Sequence, residues 1–119
     1  MNDRYTISNI ISLLDEFDFE KMMKDLINDL YWTNYAEFIG FNYCSPMNKK
    51  QKAITSVNMS LIDEFEDEPQ CYTLYLQEFR QVLVKVTANN IIKNREKEME
   101  YKSLFVELMK RINNPNKKK

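Results

Sequence analysis

A chain of 119 residues with 44% hydrophobic side chains is long and apolar enough to bury a core as one domain, without disulfide or metal staples. Its net charge of −1 gives no overall pull toward a polyanion or a membrane surface, and the absence of histidine removes the commonest general base, metal ligand and neutral-range pH switch. No run approaches the roughly 18 apolar residues of a membrane helix and the N-terminus lacks signal-peptide features, so a cytoplasmic protein is expected.

Residues 1–5 are polar. From Ile7 to Phe17 the apolar positions Ile7, Ile10, Ile11, Leu14 and Phe17 fall on one helical face, with Thr6 or Ser8 available as a cap, which predicts a short first helix. The acidic corner Asp15, Glu16, Asp18 and Glu20 joins it to the longest amphipathic stretch of the chain. There Phe19, Met22, Met23, Leu26, Ile27, Leu30, Tyr31, Tyr35, Phe38 and Ile39 recur at three- and four-residue steps, predicting a helix over 19–39. Asp18 is placed to cap its start, and Gly40, the only glycine, to take a left-handed conformation past its end. Such a helix is roughly 30 Å long, about the diameter of a small domain, and becomes the centre of the expected fold.

Phe41 to Pro46 reads as a turn, with Ser45 and Pro46 suited to start another helix. The next segment is ambiguous: Val57, Met59 and Leu61 alternate like a strand, while Ile54, Val57, Leu61 and Phe65 step like a helix. Residues 8–17 (SNIISLLDEF) and 56–65 (SVNMSLIDEF) match at six of ten positions. Shared helix-end residues account for that match more readily than a duplication does, but the echo favours helix over 53–66. After Pro69, Tyr72, Tyr75, Leu76, Phe79, Val82, Leu83 and Val86 form another helical stripe. Alternation at Tyr72, Leu74, Leu76 and at Val82, Val84, Val86 argues for strands instead. The lack of a turn residue between Gln77 and Gln81 weighs against them. A break near Asn89 and Asn90 and a last helix from Ile91 to Ile112 complete the pattern.

The resulting expectation is an all-α protein, a single compact bundle of about five helices around helix 19–39. It spans residues 1–112 and is followed by a disordered basic tail over 113–119. The alternative is an α+β fold with a small antiparallel sheet from 54–87.

Chemistry-bearing patterns are sparse. Cys44 and Cys71 have no metal or redox spacing, so reduced thiols are expected, with a disulfide between them as the alternative. The acids Asp15, Glu16, Asp18 and Glu20, and Asp63, Glu64, Glu66, Asp67 and Glu68, are of the type that holds Mg²⁺ or Ca²⁺ or serves in acid–base hydrolysis. Neither group has the spacing of a calcium loop, and solvated charge at helix starts explains both, so no metal or cofactor is expected. Glu100, Tyr101 and Lys102 form an E-x-K triplet without a supporting sheet, and no nucleophile elbow or phosphate-binding glycine loop is present. A non-catalytic role follows: an accessory subunit, adaptor or inhibitor that docks on another protein. Its expected contact residues are Trp32, Asp15, Glu16, Asp63, Glu64 and Glu66, with homo-oligomers left open. The alternative is an accessory factor in nucleic-acid transactions, since residues 79–119 carry eleven bases against four acids. Interleaved Glu96, Glu98, Glu100 and Glu107 argue for pairing within the helix instead.

Overall fold

The computed structural model describes residues 4–44, 53–62 and 68–115. Helix α1 (Arg4–Leu14) and helix α2 (Phe19–Asp29) are followed by strands β1 (Tyr31–Asn34), β2 (Glu37–Cys44), β3 (Ala53–Leu61) and β4 (Gln70–Tyr75). Helix α3 (Leu76–Lys93), a 3-10 turn at Arg95–Lys97 and helix α4 (Glu98–Asn113) complete the order. The strands form one antiparallel meander, β1-β2-β3-β4, so the fold is α+β and the all-α bundle is overturned.

The correction begins inside the expected central helix. Asp18 caps α2 through Oδ1, which accepts from the Lys21 amide at 3.2 Å, and Phe19, Met22, Met23, Leu26 and Ile27 are buried as the periodicity required. At Leu30 the backbone turns left-handed (φ 54°, ψ 34°) and its amide closes on the Leu26 carbonyl at 2.9 Å. The helix stops there. Tyr31, Trp32 and Thr33, then Phe38 and Ile39, are β-forming residues, and they pair as a hairpin in which Trp32 faces Ile39. Its two-residue loop, Tyr35 and Ala36, needs a positive φ that Tyr35 supplies at 57°. Gly40 is therefore no helix cap. It sits within β2 opposite Tyr31, whose ring lies 3.4 Å from where a Cβ would stand.

Strand β3 occupies much of the expected helix 53–66, because the Val57, Met59, Leu61 alternation puts three side chains, each at most 1% exposed, on one face. Tyr72 and Leu74 extend that face in β4, and the backbone passes directly into α3, where the Tyr75 amide donates to Glu78 Oε1 at 2.9 Å. The valines Val82, Val84 and Val86 are helical. The α+β alternative thus has the right class, but its sheet runs through residues 31–75. The expected break near Asn89 and Asn90 comes a turn later, at Asn94.

All four helices lie on one side of the sheet. Phe79, Val82, Leu83 and Val86 of α3 pack over β3 and β4, and the Phe79 ring meets Phe41 edge-on at 5.5 Å. Tyr101, Leu104, Leu108 and Ile112 bury α4 against α2, α3 and β3, and Ile10 and Leu14 close α1 onto α3. Polar ties hold the layer: Arg111 Nε donates to the Ile27 carbonyl at 2.9 Å, and Arg80 to Asn113 Oδ1 at 2.7 Å. Among the described residues no helix is long and apolar enough to cross a membrane. Of the expected tail, residues 116–119 lie outside the described residues, while the Pro115 carbonyl accepts from Arg111 at 2.8 Å.

Candidate interaction surface

Alternation that sends Trp32, Ile39, Phe41, Val57, Met59, Leu61 and Leu74 toward the helices sends their neighbours to the opposite face, which none of the described helices covers, although Ser60 there is itself buried, its Oγ donating to the Ala36 carbonyl at 3.3 Å. Cross-strand pairing arranges those neighbours in three rows: Thr33, Phe38, Ser60, Cys71; then Tyr31, Gly40, Asn58, Thr73; then Asn42, Ser56, Tyr75. None of the eleven is charged, in a chain where 29% of residues are.

The rows are tied by side chains. Asn42 Nδ2 donates to Ser56 Oγ at 2.8 Å, Asn58 Nδ2 to Asn42 Oδ1 at 3.1 Å, and Thr73 Oγ1 to Asn58 Oδ1 at 2.9 Å. This ladder fixes both amides in orientation across three strands, and each amide has a second N–H that the ladder does not use. Aromatic rings flank it. Tyr31 stacks with Phe38 at a centroid distance of 6.2 Å and is 45% exposed, while Tyr75 on the far edge is 58% exposed. The surface therefore offers flat rings, outward amide donors, hydroxyls and the Cys71 thiol.

The expected contact residues fall elsewhere. Trp32 is 4% exposed, with its ring stacked on Phe17 at 4.5 Å, although its edge lines a small cleft together with Glu16 and Asp18. Asp15 turns toward α3: its Oδ2 accepts from Asn89 Nδ2 at 2.8 Å, and its carbonyl from Lys93 Nζ at 3.1 Å. The structure so brings Trp32 and Glu16 together and sends Asp15 away. Asp63, Glu64 and Glu66 lie outside the described residues.

Among the described residues charge is concentrated in the helices. Glu20 accepts from Lys24 and from Lys97, and these bonds hold its carboxyl below the usual carboxylate range; the same contact raises Lys97. Glu98 is lowered by its bond from Lys102, and Lys21 is raised by Asp25. Among the described residues no group of three or more acidic or cysteine side chains is placed to hold a metal ion. Cys71 is exposed and free, and a Cys44–Cys71 bridge does not fit the sheet. The two pair with Ala53 and Ser60, positions separated along β3 by about 23 Å.

No family model, curated protein or solved structure matches this chain. Functional argument therefore rests on the surface itself. Sequence reasoning missed that surface because its members are scattered over 31–75 and share no motif. The one available signal was the polar half of the β3 alternation, Ser56, Asn58 and Ser60.

Proposed function

We propose that the protein is a non-catalytic cytoplasmic docking module that binds another protein through the uncovered face of its sheet. The carrying observation is the uncharged grid of eleven outward strand positions with its oriented Asn42, Asn58 and Thr73 ladder. Tyrosine, asparagine, serine and glycine are the residues with which adaptable protein-binding surfaces are built, since rings supply area at low entropic cost and amides supply hydrogen bonds. A phosphate backbone would want lysine or arginine there, and the grid has neither. Several bases of the C-terminal third are instead engaged within the chain: Arg80 with Asn113, Lys93 with Asp15, Lys97 with Glu20, Lys102 with Glu98 and Arg111 with Ile27.

Thr33 and Tyr75 stand at opposite corners of the grid and are exposed. With the partner recovered from the native cell and mapped by cross-linking, the pair Thr33→Lys and Tyr75→Lys is expected to weaken binding at least ~10-fold, because two ammonium groups must be desolvated at the contact. Circular dichroism of the variant should be unchanged. Undiminished binding, or recovery of a nucleic acid whose affinity falls with salt, would overturn the reading.

A further inference from the structure

The solvent side of α4 carries a second surface, independent of the sheet. Met99, Lys102, Ser103, Val106, Glu107 and Lys110 line one shallow groove, with Met99 84% and Val106 49% exposed. They occupy the flank opposite Tyr101, Leu104, Leu108 and Ile112, which face the core. Their successive steps of 3, 1, 3, 1 and 3 residues read the same from either end. A two-fold axis through the middle of the groove therefore lays the stripe on itself antiparallel. Met99 then meets the stem of Lys110, Ser103 meets Val106, and Lys102 meets Glu107, twice over.

We propose that this groove receives the same groove of a second copy of the chain, forming an antiparallel α4–α4 homodimer. Charge selects the occupant and its direction. Antiparallel packing sets Lys102 against Glu107 and sets the acidic first turn, Glu98 and Glu100, toward the basic last turn, Lys110 and Arg111. Parallel packing would set each of these charges against itself. Ser103 at the centre is small enough to let the two helices approach closely. Lys102 keeps its bond to Glu98, because an ammonium group has three donors, and a carboxylate such as Glu107 accepts from more than one cation. Six side chains along roughly 17 Å of helix make an interface below the standard size, so the dimer is weak and concentration-dependent.

Sedimentation velocity of the full chain from micromolar to millimolar concentration tests this. The wild type should rise toward twice the monomer mass. Lys102→Glu and Glu107→Lys should each remain monomeric, and the double variant should dimerise again, since reversing both charges restores every antiparallel pair. All these side chains project to solvent, so the variants should keep the wild-type circular dichroism. A wild type that stays monomeric throughout, single variants that dimerise as it does, or a double variant that fails to recover would each overturn the proposal.

Discussion

Residues 8–17 and 56–65 share six of ten side chains, yet the first runs as helix to Leu14 and the second as strand to Leu61. The difference lies at their second and third positions. Asn9 and Ile10 give the first copy apolar residues at 10, 11, 13 and 14, a helical stripe with Ile10 and Leu14 fully buried. Val57 and Asn58 reverse that order, so the second copy alternates: Val57, Met59 and Leu61 are buried toward the helices, and Ser56, Asn58 and Ser60 stand on the other face of the strand. Exchanging apolar and polar at one adjacent pair shifts the period from about 3.6 to 2, and the period outweighs the identity of the other residues. Setting matters as well. β3 lies between β2 and β4, which satisfy its backbone on both sides, whereas α1 satisfies its own.

The most severe way to break the comparison is to write the first copy's order into the second. Val57→Asn with Asn58→Ile puts an amide at a fully buried site and removes two bonds of the outer ladder. A loss of about 3–5 kcal/mol is expected in urea unfolding, and a loss below about 1 kcal/mol would mean that alternation does not hold β3 in place. The next effect concerns the acid that ends the helical copy. Among the described residues Asp15 Oδ1 is buried without a partner and Oδ2 has only Asn89, so Asn89→Ala should cost about 2 kcal/mol by the same measurement.

The smallest effect is a pH dependence of the acidic corner that follows α1. Bonds from Lys24 and then Lys97 lower the Glu20 carboxyl in the folded state, so its contribution is present above the unfolded carboxylate pKa and is lost as pH falls through the folded value. The complementary rise at Lys97 contributes below the unfolded lysine pKa and is lost as pH climbs through the folded one. Glu20→Gln should flatten the acid limb of a stability–pH profile and leave the fold at neutral pH intact. An unchanged acid limb would show that this corner does not couple to folding. The side chains are 29% and 44% exposed, which keeps the effect modest.

Much of the helical half was legible in the residues. The Asp18 cap and the buried stripe of α2 follow from spacing and capping chemistry alone, whereas α1 runs from Arg4 to Leu14, three residues earlier at each end than the 7–17 stripe, with Thr6 and Ser8 inside it. The hairpin was not, for two physical reasons. Leu30 and Tyr35 take positive φ without being glycine, so no turn signal marks the end of α2 or the β1–β2 loop. Tyr31 and Phe38 also stand at helix-like spacing, although a two-residue loop is what brings their rings together across strands. The same hairpin carries Trp32 inward onto Phe17, where it serves the core.

The capped start of α2 and the burial of Phe19, Met22, Met23, Leu26 and Ile27 could be read from the amino acids in order, because a helix closes its hydrogen bonds within a few residues. Which segments became strands, and so which uncharged residues share one open face, depended on distant neighbours. A strand's amides and carbonyls find their partners only when β1 to β4 come together.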